Sequence, residues 1–201
     1  MNTPKLVIAI LLPCFLSSCN KTIKLSDKDF KWIPYKGNET LVFNSNTGNS
    51  DTIFLLRTNR QTNPSDPLAF FPTNLERFTI ISKRSDPSPP DGKHRYLENT
   101  FMELFKGTQN QSFLTIDLTA KDSWFYGGSF LELSNLDTMK QITLKTRIKE
   151  YNDIIILTPN SNTYSERTNF LTKVYWSKSN GLIRFDKKDS TFWELTNKYG
   201  L

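Results

Sequence analysis

The chain has 201 residues, which suits one domain or two small ones, and its 37% hydrophobic and 13% aromatic residues are enough to close a core. Its formal net charge of +6 comes from basic residues that are scattered rather than clustered with aromatic ones, which argues against nucleic-acid binding. This modest positive charge instead favours anionic neighbours such as lipid headgroups.

Residues 1–18 have the parts of an export signal. Lys5 supplies a positive charge, and the apolar residues 6–12 follow it. Even if the apolar stretch is extended to residue 16, it is too short for a membrane-spanning helix, which needs about 20 residues, and Pro13 interrupts it. We therefore expect a cleaved signal rather than a transmembrane anchor.

A cysteine motif follows the apolar stretch. Leu16 is followed by two serines and then by Cys19. This motif resembles the lipobox of bacterial lipoproteins, in which the chain is cut before a cysteine that carries a diacylglyceryl group and further acyl chains such as palmitate. The resemblance implies lipidation of Cys19 and stable attachment to a membrane. An ordinary cleaved signal is the alternative, and Cys14 is a poor second acceptor because Pro13 precedes it.

The residues after Cys19 bear on which membrane the anchor would enter. Asn20 stands where aspartate is the familiar inner-membrane retention signal of enteric bacteria, so the resemblance implies the outer membrane. Some lipoproteins of the Bacteroidota reach the cell surface through a run of acids after the cysteine, but here the first acid is Asp27. The periplasmic face is therefore expected, with residues 19–29 as the lipidated cysteine and a polar tether.

The chain from residue 30 to residue 201 has the pattern of one all-β domain. Short runs of β-branched and aromatic residues alternate with clusters of Asn, Asp, Gly, Ser and Pro. We expect a single antiparallel meander in the form of a curved sheet, an open barrel or a sandwich. Residues 40–43 and 52–56 predict a hairpin, and residues 57–73 predict a long polar connection.

The middle of the chain contains one clear strand and one ambiguous segment. Residues 113–118 predict a strand with Leu114, Ile116 and Leu118 on one face. Residues 95–106 fit a helix ended by Gly107, but they also fit a strand that pairs with residues 113–118. The β-rich surroundings favour the strand. Further strands are predicted at residues 78–81, 154–157, 173–176, 181–185 and 191–195, and an exposed proline loop at residues 86–92.

Residues 142–151 alternate between apolar and polar side chains, which predicts one strand with Lys145, Arg147 and Lys149 on one face. Three cations at this spacing are candidates for contact with anionic lipid headgroups or an acidic partner. The alternative is a solvated face that also discourages pairing with other chains.

The C-terminal part carries a second resemblance. An aspartate precedes aliphatic residues at positions 153–156, an aromatic pair stands at 175–176, and Gly, Leu and Ile follow at 181–183. Together with residues 32–37, this pattern is similar to uncharacterised all-β lipoproteins of the Bacteroidota. The resemblance implies a curved sheet or open barrel and brings no known activity.

Candidate chemistry is sparse. The single histidine, His94, lies between two cations beside the proline loop and is expected to be solvated, and no Gly-X-Ser-X-Gly motif supplies a nucleophile. No cysteine follows Cys19, and no dense acidic loop occurs, so we expect no metal and no cofactor. Asp117 and Asp153 are candidate carboxylates, because a glycosidase needs only two.

Two functions fit this sequence. The first is a non-enzymatic lipoprotein that serves envelope assembly or binds a partner. The aromatic residues and the resemblance to curved-sheet lipoproteins favour an apolar or amphiphilic ligand, and an envelope protein is the alternative partner. The second is a hydrolase of envelope glycan or lipid that uses paired carboxylates. The four tryptophans, Trp32, Trp124, Trp176 and Trp193, either fill the core or line a ligand cleft.

Overall fold

The computed structural model describes residues 21–69, 72–85, 96–120, 123–126, 131–159 and 165–200. These ranges contain thirteen strands and two short helices. The strands are β1 (Thr22–Ile23), β2 (Thr40–Ser45), β3 (Ser50–Pro64), β4 (Asn74–Ser85), β5 (Tyr96–Lys106), β6 (Ser112–Ala120), β7 (Ser123–Tyr126), β8 (Leu131–Glu132), β9 (Ile142–Lys145), β10 (Glu150–Leu157), β11 (Leu171–Ser177), β12 (Gly181–Lys187) and β13 (Phe192–Tyr199), and the helices are α1 (Asp27–Phe30) and α2 (Leu133–Thr138).

Hydrogen bonds join these strands into a single curled antiparallel sheet that forms a half-barrel, which confirms the predicted all-β fold. The order is β7-β6-β5-β4-β3-β2-β13-β12-β11-β10-β9, with β8 beside β6 and the short β1 added parallel to β4. The chain runs outward from β2 to one end of the sheet, and the last strand returns to pair with β2.

The predicted hairpin of β2 and β3 is confirmed, but the predicted connection at residues 57–73 is wrong in its first half. β3 continues to Pro64 and pairs with β4 along that whole length. Beyond Arg57 every side chain of β3 is exposed, so this part of the strand has no buried face to impose an apolar alternation. Its polar composition suits a solvated strand.

The ambiguous segment before Gly107 is a strand, so the strand prediction for it is confirmed and the helix alternative is wrong. β5 pairs with β6 in the register that sets Met102 opposite Ile116 and Leu104 opposite Leu114. All four side chains are fully buried. As a strand, β5 buries Met102 and Leu104 against Ile116 and Leu114 of β6. A helix at this position would leave β6 without this strand partner.

The single strand predicted at residues 142–151 is wrong, because the chain turns back at residues 146–149. β9 and β10 form a hairpin in which Lys145 is opposite Glu150. The Thr146 hydroxyl holds the turn by donating to the carbonyl of Lys149 at 2.8 Å, and the Thr146 amide donates to the same carbonyl at 2.9 Å. The three cations therefore do not form one row on one strand.

Residues 22–29 differ from the predicted tether, because they pack on the sheet. Ile23 and Leu25 are buried, and the Leu25 amide donates to the Glu76 carboxylate at 2.6 Å. Ser26 then caps α1 with a capping box, in which the Asp29 carboxylate accepts from the Ser26 amide at 2.7 Å. The described chain is therefore packed on the sheet from Ile23 onward rather than free as a tether.

The sheet encloses one hydrophobic core that large aromatic residues fill. Trp176 is fully buried and Trp32 and Trp193 nearly so, which confirms the core interpretation for these three tryptophans; the side chain of Trp124 lies outside the described residues. Tyr35 joins the two halves of the sheet by packing edge-on against Phe101 and Trp176. The largest fully buried side chains are Trp176, Phe43, Phe101, Phe185, Leu41, Ile53, Ile80, Met102, Leu104, Leu114 and Ile116.

Candidate functional site

The polar cluster nearest to a catalytic arrangement lies at the turn between β11 and β12. The Asp153 carboxylate, on β10, accepts hydrogen bonds from the Ser177 hydroxyl at 2.7 Å and from the Ser179 hydroxyl at 2.7 Å. It also accepts from the Ser179 amide at 3.0 Å. The Asn180 amide in turn donates to the Ser177 hydroxyl oxygen at 2.9 Å. The cluster thus joins β10 to the turn.

These contacts determine the charge of Asp153. Burial on its own raises the pKa of this carboxyl group, but the hydrogen bonds from Ser179 and Ser177 outweigh burial and bring the pKa below its ordinary value. The group is therefore an anion at neutral pH and a poor general acid. Ser177 gains no base that would remove its proton, because its hydroxyl donates to a weakly basic carboxylate.

A shallow cavity of about 290 Å³ opens beside this cluster and is lined by Lys149, Glu150, Tyr151, Asn152, Asp153, Ser179 and Asn180. Side chains three residues apart on a regular strand point to opposite faces. The pairing of β10 with β9 is irregular between Tyr151 and Ile154, and Glu150 and Asp153 both line the cavity. Among the described residues that line the cavity, these two are the only acids.

Asp117, the other carboxylate expected from the sequence, does not line this cavity. It lies on β6, which is not a neighbour of β10 in the sheet order. The structure therefore does not place Asp117 and Asp153 together around that opening.

The three candidate anion-contacting cations occupy separate environments around the β9–β10 turn. The Arg147 guanidinium is 3.9 Å from the buried Glu194 carboxylate and donates to the carbonyl of Ser45 at 3.2 Å, so part of this cation already contacts the domain itself. The Lys149 ammonium is 5.0 Å from the centre of the Tyr151 ring. Lys145 is exposed on the edge strand β9. Whether these cations contact an anionic partner stays a prediction.

A half-buried charged network that sequence analysis missed crosses β11, β12 and β13. Tyr175, Arg184 and Glu194 are directly opposite one another on the three strands. The Arg184 guanidinium donates to Asp186 at 2.6 Å and lies 3.8 Å from the centre of the Phe192 ring. Burial and a hydrogen bond to Asp186 raise the pKa of Tyr175 to about 12. Every charge in this network has an opposite charge beside it, as a structural network requires.

The other points raised by the sequence are a metal site, His94, the proline loop and Cys19. Among the described residues, no three His, Cys, Asp or Glu side chains converge as metal ligands. His94, the proline loop and Cys19 lie outside the residues that the structure describes. None of the described helices has the length and apolar character that a membrane crossing needs.

Comparison with known proteins adds no relative. No protein-family model matches this chain, no curated protein matches it, and no solved structure matches it.

Proposed function

We propose that this chain is a bacterial lipoprotein, anchored through acyl chains on Cys19, whose β domain is a non-enzymatic binding or envelope-assembly module on the periplasmic face of the outer membrane. The observation that carries the proposal is the lipobox at residues 16–19, followed after only two residues by the packed chain at Thr22. A domain that begins directly after a lipidated cysteine has the arrangement of a membrane-held module.

The polar chemistry of the described residues supports binding rather than catalysis. Asp153 accepts hydrogen bonds from two serine hydroxyls and one backbone amide, and these bonds lower its pKa and leave it ionised. Its serine partners close the β11–β12 turn. The alternative, a hydrolase with paired carboxylates, would need Glu150 as the acid and Asp153 as the base or nucleophile, since both line one cavity.

Of the two partner types, an envelope protein has better support than an apolar or amphiphilic ligand. The core of the described strands is occupied by the protein's own aromatic side chains. The edge strand β9 pairs only with β10 among the described strands, and the exposed apolar side chains of Met139 and Ile148 lie just before and after it. A strand edge with apolar neighbours suits a protein that adds a strand.

The anchor is tested by comparing Cys19→Ala with Cys14→Ser in the full-length chain. Wild type and Cys14→Ser should partition into the detergent phase and give an acylated N-terminal peptide by mass spectrometry, because Cys19 is intact in both. Cys19→Ala should move to the aqueous phase or retain its uncleaved leader. If Cys14→Ser loses the acyl group and Cys19→Ala keeps it, the assignment of the anchor is wrong.

Binding and catalysis are separated with the purified unlipidated domain of residues 20–201. We expect no turnover of peptidoglycan, polysaccharide or ester substrates, and no lipid-like molecule retained from an envelope extract in native mass spectrometry. Turnover that Asp153→Asn and Glu150→Gln both abolish would favour the hydrolase. A retained lipid would favour the amphiphilic ligand over the protein partner.

A further inference from the structure

We propose that the β3–β4 tip, residues 65–69, rests on the lipid bilayer that holds the acyl chains and orients the domain on it. This inference rests on the proposed lipid anchor and goes beyond it, because an anchored domain with a free tether would have no preferred orientation. Three independent features of the described chain meet at this tip: the direction of the N-terminus, an exposed leucine and two exposed lysines.

The direction of the N-terminus follows from the parallel pairing of β1 with β4. Thr22 is opposite Asn74, and Ile23 is opposite Leu75. In a parallel pair, the residues that precede the two strands lie at the same end. The chain before Thr22 therefore leaves the sheet on the side where β4 begins, which is the side of the β3–β4 tip.

Hydrogen bonds fix this end closely. The Asn74 amide donates to the carbonyl of Lys21 at 2.8 Å, so pairing already includes the residue before β1. The Ser65 amide donates to the carbonyl of Thr73 at 2.8 Å and closes the base of the tip. The N-terminal chain and the tip thus emerge side by side.

The remaining distance to the anchor is short. Cys19 precedes Thr22 by three residues. A fully extended residue spans at most about 3.6 Å, so the Cα atom of Cys19 lies within about 11 Å of that of Thr22. Acyl chains on Cys19 enter the bilayer from the headgroup region, and they therefore hold the end of the sheet that carries the tip against the membrane surface.

The tip presents an apolar side chain at that place. Leu68 is 92% exposed, the highest value among the exposed large hydrophobic residues of the described chain. The Asp66 carboxylate accepts from the Leu68 amide at 2.9 Å, and the Asp66 carbonyl accepts from the Ala69 amide at 3.2 Å. This turn holds the leucine at the apex of the hairpin rather than against the core. Insertion into the bilayer interface would remove its side chain from water.

The charges around the tip suit an anionic lipid surface. Lys21 and Lys24 are both exposed on the N-terminal segment that pairs with β4. Lys21 lies at the base of the tip, and Lys24 lies further along β4, near the Glu76 carboxylate. Asp66, the acid of the tip itself, keeps its negative charge while it accepts from the Leu68 amide, so Lys21 and Lys24 outnumber it by one charge. Cations beside an apolar residue form the usual combination of a membrane-surface contact, in which the cations attract headgroups and the apolar group inserts.

The test uses the full-length lipidated protein in vesicles of phosphatidylethanolamine and phosphatidylglycerol that contain a lipid-borne quencher. Leu68→Cys supplies a site for an environment-sensitive fluorophore, and Thr47→Cys is the matched control at the exposed β2–β3 turn, at the opposite end of β3. The introduced thiol is the only one available for labelling, because acylation blocks Cys19 and cleavage removes Cys14.

We expect a blue-shifted emission and several-fold stronger quenching at position 68 than at position 47, and less quenching when Lys21→Glu and Lys24→Glu are combined with Leu68→Cys. Mass spectrometry of the N-terminal peptide is recorded on the same samples. Equal quenching at the two positions in an acylated protein would overturn the proposed orientation but not the lipid anchor. The tip would then be a candidate surface for a protein partner. An N-terminal peptide without acyl chains would overturn the anchor and the orientation together.

Discussion

Lys106 and Asp29 form a buried ion pair in which the lysine Nζ lies 3.1 Å from Oδ2 of the aspartate, with only 8% and 11% of the two side chains exposed. The same lysine donates to the Ser112 hydroxyl at 2.7 Å. The pair therefore fastens α1 to the end of β5.

Removal of one member of this pair should be costly. Asp29→Ala leaves the Lys106 ammonium buried without its charge partner and removes the capping box of α1, and should lower the free energy of unfolding by about 3 kcal/mol or more. Urea denaturation of the unlipidated domain measures the loss. Arg57→Met is the control, because its ion pair with Glu98 is exposed at 59% and 47% and should contribute less than about 1 kcal/mol. Equal losses for the two variants would contradict a structural role for the buried pair.

Gly181 and Gly48 provide a matched pair of glycine substitutions. Both have a positive φ, of 89° and 86°, but a Cβ at Gly181 would clash with the Tyr35 hydroxyl oxygen, whereas nothing lies within 4 Å of a Cβ at Gly48. Gly48→Ala should cost about 1–2 kcal/mol from the backbone alone. Gly181→Ala should cost clearly more, because it also displaces the hydroxyl that accepts from the Leu182 amide at 2.7 Å.

Thermal unfolding of the two variants measures this difference, with Tyr35→Phe as a third variant that removes the hydroxyl without adding a methyl group. Tyr35→Phe leaves the buried Leu182 amide without its acceptor and should cost about 1–3 kcal/mol. Equal melting temperatures for Gly181→Ala and Gly48→Ala would mean that the contact with Tyr35 is not formed.

Strands were predictable from the sequence where one face is buried. The alternation of β2, in which Leu41 and Phe43 are buried, is visible in the sequence for this reason. The outer half of β3 was missed because its side chains are solvated on both faces. The turn at Thr146 was missed because it contains no glycine, proline or asparagine and depends on a threonine hydroxyl.

Helix α1 could have been found, since Ser26 and Asp29 form the capping-box spacing directly before the aromatic Phe30. The Asp153 cluster could be found only in part. The sequence marks Asp153 as a candidate carboxylate because it precedes an aliphatic run. Its partners Ser177 and Ser179 lie 24 and 26 residues later in the chain. Only the register between β10 and the β11–β12 turn joins them, and that register depends on long-range packing.

The stability contributed by Asp153 should depend on pH. Asp153→Asn removes the charge that accepts from Ser177 and Ser179 and should cost about 2 kcal/mol at neutral pH. Because the folded pKa of Asp153 lies below its ordinary value of 3.8, its stabilisation is complete above the unfolded pKa and is lost as the pH falls through the folded pKa.

Urea denaturation of wild type and Asp153→Asn across a pH series tests this dependence. The gap between the two curves should be constant from about pH 5 to pH 8 and should shrink below about pH 4, where wild-type Asp153 becomes protonated in the unfolded state. A gap that widens in acid would mean that the folded pKa of Asp153 is raised rather than lowered, so that the hydrogen bonds from Ser177 and Ser179 do not favour its anion.

Lys145 should help to prevent the edge strand β9 from pairing with another copy of the chain. β9 is the last strand in the described sheet order, and Lys145 is exposed on it, next to the apolar Ile148 in the following turn. A charged side chain on an edge strand discourages pairing with another chain, because the partner would have to desolvate it. Lys145→Val should therefore promote self-association of the unlipidated domain.

Lys173→Val is the matched control for this variant. Lys173 is also exposed, but it lies on β11, an inner strand of the described sheet between β10 and β12, so a valine there is not on the edge strand. Sedimentation velocity over a concentration series should give dimers or larger species for Lys145→Val and monomers for Lys173→Val. If both variants associate, the effect is one of surface hydrophobicity in general. If neither does, backbone groups of β9 are protected by something other than its lysine, and an added partner strand at this edge loses its support.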